Sequence, residues 1–471
     1  MTKKLKLIDI FMKKLITVIF VFCSPLFITA QINHDQELIN LVVENKWFEA
    51  NDYYNFYQDS LKYEPIKLAY KGGTAKAFNR TEEAILYFNQ GIEHASEMPA
   101  LLLINHFYIP LYNCYAEIQA YNKAVEIIEK IISLLDSMKS SENENYLLDA
   151  IRRFEIDRRM YETYSHYPPI RKVYTGKHQT EMLFDDSIHN LLTTNAICNG
   201  SPLRVIFDTG FTECSMSYDI AKKLNVKIIS PDSLLLNNKI GGVMGIIDSL
   251  QLGTLKIYNI PVFVSSKWKD SFEITDSITN EMVTEFTKKA NDFNAIDFVV
   301  GLPILKLLRN MEWNYETMKL VFYDESKSLY TSNLCLFDKG LYLKFQVNHD
   351  THNYTALFDT GGAHGLIINR DFYNKNTNLF IKSVPVNKLK KRTTLSPGIT
   401  MNYLYLQPEK LDIHIGSRTI PLLNDCMINE TEYPELNLEG QSKEKLAIGI
   451  NTFKEHKTIT IDFNNMYIHV E

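Results

Sequence analysis

Val205-Ile206-Phe207-Asp208-Thr209-Gly210 and Ala356-Leu357-Phe358-Asp359-Thr360-Gly361 are two copies of one pattern, an apolar run that delivers Asp-Thr-Gly, set 151 residues apart. The copying extends beyond the triplets. Phe298-Val299-Val300-Gly301 matches Leu446-Ala447-Ile448-Gly449, 93 residues from the first Asp to its Gly and 90 from the second. Farther on, the stretch from Trp313 to Leu320 lines up with that from Ile461 to Ile468, at the same 148-residue offset as the Gly blocks. Upstream of each triplet stands another strand-like run and a turn, Cys198-Asn199-Gly200-Ser201 in one copy and Asn348-His349-Asp350 in the other. A single Asp-Thr-Gly arises by chance at about one position in several thousand at average usage. Two in the same context, each followed by the same distant block, mark a duplicated unit.

The pattern suits a pair of carboxylates. An apolar strand holds an Asp on rigid backbone, which fixes its position better than a loop does. The Gly after Thr is expected to take the positive φ of a tight turn, and the Thr hydroxyl to hydrogen-bond across to the other copy. Two such turns face to face bring Asp208 and Asp359 within a few ångströms. They cannot both ionise, so the pair shares one proton over an intermediate pH range. The ionised partner then takes a proton from a water between them, while the protonated one polarises a carbonyl. Asp208 and Asp359 are the candidate catalytic residues, with Thr209, Gly210, Thr360 and Gly361 shaping the supporting turns. This chemistry needs no metal and no cofactor.

Two apolar residues before Asp-Thr-Gly, then an apolar-apolar-Gly block, resemble the pepsin and retropepsin superfamily of aspartic peptidases. The segment Ile448-Gly449-Ile450-Asn451-Thr452-Phe453 with Thr458 to Phe463 looks especially like bacterial retropepsin-like proteins. The resemblance covers about residues 185 to 471. It implies a bilobal all-β acid-protease fold, with lobes at 180–325 and 333–471, and an extended peptide or unfolded protein as substrate. Because both motifs lie in one chain, a monomer suffices for the site. The superfamily closes a β-hairpin flap over its substrate; Gly241 and Gly242 are the candidate flap glycines of the first copy, Gly398 of the second. The chain departs from the pattern after each triplet, where Phe211-Thr212 and Gly362-Ala363 replace the usual Ala or Ser. His364 lies near Asp359 in sequence, but the dyad mechanism has no place for it, so it is expected to be a partly exposed loop residue. Ile278, Met282 and Phe286, at i, i+4 and i+8, predict an amphipathic helix over 275–289.

Before the β-rich half the language is helical. Lys46-Trp47-Phe48-Glu49-Ala50 is echoed 34 residues later by Arg80-Thr81-Glu82-Glu83-Ala84, and 40 residues after that by Ala120-Tyr121-Asn122-Lys123-Ala124. A period near 34 with small residues between paired helices resembles tetratricopeptide repeats. Residues 31–165 are thus expected to form a repeat-like helical domain, which either docks a protein partner or buttresses the catalytic part. The polar stretch from Ser137 to Asn145 interrupts the helices and Tyr167-Pro168-Pro169 ends them. At the N-terminus, Lys13-Lys14, the apolar run from Leu15 to Phe22 and the small Ala30 read as a secretory signal over 1–30, with an uncleaved anchor as the alternative. Export to the periplasm, cell surface or medium is expected.

The overall expectation is a multidomain α + β protein, with the helical domain first and the β lobes after it. A net charge of -6 excludes nucleic acid as the main partner, since phosphate binding draws on excess Lys and Arg. The five cysteines beyond the signal (Cys114, Cys198, Cys214, Cys335, Cys426) are too sparse for a disulfide framework and read as packing residues. The function expected is an exported aspartic endopeptidase. The alternatives are a degenerate peptidase that binds peptides without cutting, and a helical-repeat adaptor that uses the β lobes as scaffold.

Overall fold

Three sharp turns organise the N-terminal part, and the echoed sequence marks all three. The computed structural model describes residues 33–95, 98–140, 144–173, 177–185, 191–230, 234–236, 240–265, 296–324, 331–337, 340–348, 350–362, 364–380, 391–396, 399–406, 408–409, 411–422, 426–429 and 446–471. The chain divides into two compact units, Met1–Pro168 with Tyr433–Gln441, and Pro169–Glu432 with Ser442–Glu471. The signal-like segment and the helix expected over 275–289 lie outside the described residues.

In the first unit, α1 (His34–Val43) pairs with α2 (Trp47–Tyr57), and α3 (Glu64–Ala77) with α4 (Thr81–His94). Next, α5 (Ala100–Leu103) passes through a π-helical turn, Ile104–Tyr108, into α6 (Ile109–Glu117), which pairs with α7 (Tyr121–Ser137); α8 (Glu144–Ser165) follows. Trp47, Thr81 and Tyr121 open the second helix of each pair. Asn45, Asn79 and Gln119, just before, have left-handed φ of 57°, 58° and 61°. Each turn closes identically: Asn45 N–H donates to Val42 and Lys46 N–H to Leu41, and the same offsets recur at Asn79/Arg80 and Gln119/Ala120. This double bond caps orphan carbonyls at the helix end, and it needs one residue able to take a left-handed conformation. The π turn has a local cause too. Pro110 lacks an N–H and its ring crowds the carbonyl four residues back, so the chain widens and Ile109 N–H reaches Ile104 instead.

The core of this unit gathers Phe88, Ile104, Phe107, Leu111, Ile128 and Ile131, all buried, with Phe88 and Phe107 meeting edge to face at 6.5 Å.

The second unit contains β1 (Arg171–Val173), β2 (Lys177–Glu181), β3 (Leu183–Asp185), β4 (Leu191–Cys198), β5 (Ser201–Asp208), β6 (Ser215–Ser217), α9 (Tyr218–Lys223), β7 (Lys227–Ile228), β8 (Leu234–Leu236), β9 (Ile240–Leu252), β10 (Leu255–Ser265), β11 (Phe298–Gly301), α10 (Leu302–Leu308), β12 (Asn310–Asn314) and β13 (Lys319–Tyr323). The matching later part holds β14 (Leu334–Phe337), β15 (Gly340–Val347), β16 (Tyr354–Asp359), β17 (Leu366–Ile368), α11 (Arg370–Lys375), β18 (Lys391–Ser396), β19 (Ile399–Leu406), β20 (Asp412–Ile415), β21 (Arg418–Pro421), β22 (Cys426–Asn429), β23 (Leu446–Gly449), β24 (Thr458–Asp462) and β25 (Tyr467–Val470). Two sheets repeat one inner order, β10-β6-β11-β5-β4 in the first and β22-β17-β23-β16-β15 in the second. In each, the strand ending in Asp is interior and runs parallel to the strand ending in Gly. The Asn199-Gly200 turn between β4 and β5 has both residues at positive φ, the geometry that matches strand twist in a two-residue hairpin.

A third sheet, β2-β13-β12-β24-β25, is built from both copies. Here β12 pairs antiparallel with β24 so that Glu312 faces Thr460, its own counterpart at the 148-residue offset. A pseudo-twofold axis therefore passes between them. The copies even share a strained turn residue, since Met318 and Met466 have left-handed φ of 51° and 50°. Asn314 and Asp462, also counterparts, each accept a backbone N–H three residues on. The five cysteines are buried and none of them is in a disulfide.

Truncation should separate core from surface in the helical unit. Phe107→Ala is expected to cost about 3–5 kcal/mol in denaturant unfolding followed by helical circular dichroism. Phe56→Ala, at a side chain 79% exposed, should change it by no more than about 0.5 kcal/mol.

Candidate active site

The two Asp side chains stand at the C-terminal ends of β5 and β16. Each strand is anchored by buried residues, Val205, Ile206 and Phe207 in one and Ala356 and Phe358 in the other. Full burial of one such side chain contributes about 1.5–3 kcal/mol, so the strand ends are rigid. Gly301 is in register with Asp208, and Gly449 with Asp359. Beyond them Leu302 N–H donates to Phe211 O at 2.9 Å and Ile450 N–H to Gly362 O at 3.2 Å. Each turn is thereby seated on the strand that follows it in the fold.

The turns then lock to each other. Thr209 N–H donates to Thr360 Oγ1 at 3.0 Å, and Thr360 N–H donates to Thr209 Oγ1 at 3.0 Å. Each hydroxyl passes its own proton onward, Thr360 to Phe207 O at 2.7 Å and Thr209 to Phe358 O. Both threonines are buried. Four bonds thus satisfy two N–H groups, two hydroxyls and two carbonyls where water is excluded, and an unpaired buried group costs about 1–3 kcal/mol.

The glycines of the triplets serve contact rather than conformation. Neither Gly210 nor Gly361 has the positive φ expected for it. A Cβ on Gly361 would lie 2.3 Å from Asp208 Cγ, and one on Gly210 would lie 3.1 Å from Asp359 Oδ1. Each glycine is pressed on the opposite carboxyl, so any side chain would push the pair apart.

The carboxyls lie beside each other, since a single Cβ on Gly210 would lie 3.1 Å from Asp359 Oδ1 and 3.2 Å from Asp208 Oδ1. They are part-exposed at the surface and enclosed by protein elsewhere. Their proton affinities diverge. Burial, and then the neighbouring charge of Asp359, push Asp208 well above the ordinary carboxylate range, against the 2.8 Å bond from Gly210 N–H to its Oδ1. Burial would raise Asp359 too. Contact with His364, the bond with Asp208 and the Gly361 N–H at 3.0 Å outweigh it and hold Asp359 below the ordinary range. The two carboxyls thus differ in proton affinity, with Asp208 holding its proton more strongly than Asp359.

Other expectations fare differently. Gly241 and Gly242 lie inside β9, paired with Leu235 and Leu234, and Gly242 pairs with Ser265 on its other side. They are strand residues at the start of β9; a Cβ on Gly242 would lie 2.6 Å from Val264 O, so tight packing selects glycine there. Gly398 lies outside the described residues, between the last β18–β19 pair, Ser396 and Ile399. His364, expected to be a bystander, has Nε2 3.8 Å from Asp359 Oδ2. The signal for it was Gly362, the unusual small residue beside the second triplet. Among the described residues no cluster of His, Cys, Asp or Glu is arranged to hold a metal ion.

Residues 194–279 match the family model of aspartyl proteases. That stretch contains the first Asp-Thr-Gly and the β9–β10 hairpin, so the second unit carries an aspartyl protease-like domain. No curated protein matches the chain.

Thr209→Val keeps shape but removes one donor and one acceptor, leaving Phe358 O and Thr360 N–H unpaired. It should lower stability by about 2–4 kcal/mol in denaturant unfolding. Thr209→Ser, which keeps the hydroxyl, should cost no more than about 1 kcal/mol.

Proposed function

We propose that this chain is an aspartic endopeptidase that hydrolyses peptide bonds with a water activated between Asp208 and Asp359. The observation that carries the reading is the crossed threonine clasp, which sets two carboxyls of opposed proton affinity against each other. In the reaction Asp359, ionised, accepts a proton from the water as that water attacks the scissile carbonyl carbon. Asp208 donates its proton to the carbonyl oxygen, so a neutral gem-diol forms and the single negative charge of the pair passes from Asp359 to Asp208. Collapse reverses the roles: a carboxyl protonates the leaving amine nitrogen while the diol returns a proton to the pair. A base below the ordinary range and an acid above it keep this single-proton state populated over a wide span of pH, and activity should be bell-shaped in pH.

Two acid-protease lobes in one chain make a monomer sufficient, with an extended peptide or an unfolded protein as substrate. The three helix pairs with the same capped turn support a tetratricopeptide-like reading of the helical unit, which would dock a protein partner. The basic start and apolar run of the first 30 residues support export.

Asp208→Asn and Asp359→Asn should each reduce cleavage of an unfolded protein substrate by about a thousandfold or more, measured as new peptide ends by mass spectrometry. Cleavage unaffected by either substitution would sink the dyad.

A further inference from the structure

His364 is built into the second turn, and three features place it there. Its Nδ1 lies 3.0 Å from Gly365 O, a carbonyl that can only accept, so Nδ1 carries a proton. In the neutral ring Nε2 then holds a lone pair, and it is Nε2 that faces Asp359 Oδ2 at 3.8 Å. A lone pair against a carboxylate is unfavourable, whereas a protonated ring presents N–H and positive charge. Space for the ring comes from glycines. A Cβ on Gly362 would lie 2.5 Å from His364 Nε2 and 2.7 Å from Asp359 Oδ2, and one on Gly449 would lie 2.7 Å from Nδ1. The Ala or Ser usual after the triplet would therefore force the ring and the carboxylate apart.

The first turn has no such group. Position 213, the counterpart of 364, carries Glu, and its carbonyl oxygen sits against Gly301 as that of His364 sits against Gly449, 2.1 and 2.2 Å from the respective Cβ positions. Two turns of the same shape thus carry an acid in one and a base in the other.

Resting on the peptidase reading, we propose that His364 is a positioning residue: its imidazolium pairs with Asp359, fixes the negative charge of the dyad on that carboxylate and leaves the proton on Asp208. An otherwise near-symmetric pair becomes one with assigned base and acid before substrate arrives. Asp359 faces His364 directly, and Asp208 lies beyond it across the dyad. Both are acidic, and a carboxylate neighbour favours the charged imidazolium over the neutral ring.

The sign follows. A nearby cation lowers the pH at which the pair first ionises, by about 1 unit or more for close contacts. Removing it raises that pH. In His364→Ala and His364→Gln the acid limb of kcat/KM should move up by about 1 pH unit. The dyad's first deprotonation, followed by carbon NMR of the Asp carboxyls in the full chain, should move equally. Gly362→Ala, which drives ring and carboxylate apart, should give the same shift, and the double variant with His364→Ala no more than either alone. A purely structural His364 would lower activity evenly with the limb and the NMR titration unmoved, and that result overturns the proposal. If His364→Ala fails to fold, His364→Gln and Gly362→Ala carry the same test. A wild-type protein that cuts nothing at any pH, yet shows the NMR shift, would remove the peptidase reading while leaving His364 as the group that sets the charge.

Discussion

The exchange of four hydrogen bonds between the turns of Thr209 and Thr360, two between the threonines and two from their hydroxyls to Phe358 O and Phe207 O, is the constraint on which the second unit depends. Each threonine both donates and accepts across the pseudo-twofold axis, so neither turn is satisfied without the other. A hydroxyl is the group that can do this, because its oxygen accepts from one backbone N–H while its proton goes to a carbonyl. The third sheet enforces the same symmetry from below, with Glu312 opposite Thr460. Two sheets, two turns and one joining sheet therefore converge on one pair of carboxyls. Their closeness is imposed by backbone, which is why like charges that would otherwise separate are held together.

Closeness alone would leave the pair symmetric. Beyond burial and mutual charge, Asp359 alone is drawn down by a group just past its triplet, where the duplication is imperfect. The first turn continues with Phe211, the second with Gly362 and then His364. Glycine removes the Cβ that would block the ring, and the imidazole stands beside Asp359 with no counterpart beside Asp208. The departures from the usual residues after the triplets thus put different groups beside the two carboxyls, without disturbing the clasp.

How much of this was legible in the sequence depends on how directly residue type reports geometry. The paired triplets, the Gly301 and Gly449 blocks and the equal offset of the terminal segments could be read because each fixes a tight backbone contact. The helix-pair starts at Trp47, Thr81 and Tyr121 were visible as echoes, although the capped turns at Asn45, Asn79 and Gln119 were not, since their shared feature is a dihedral angle rather than a residue. Gly210 and Gly361 were identified, but for positive φ; glycine is selected equally by close approach, and composition cannot tell the two apart. His364 was passed over because its partner is decided by how the loop folds back over Gly362 and Gly449, a relation no linear spacing records.

The most direct measurement of the central claim is neutron diffraction from crystals of the full chain grown in the mildly acidic range. The account predicts carboxyls of Asp208 and Asp359 within hydrogen-bonding reach, a single deuteron between them carried on Asp208, and none on Asp359. Two deuterated carboxyls, two bare ones, or side chains too far apart to share a proton or one water would contradict it.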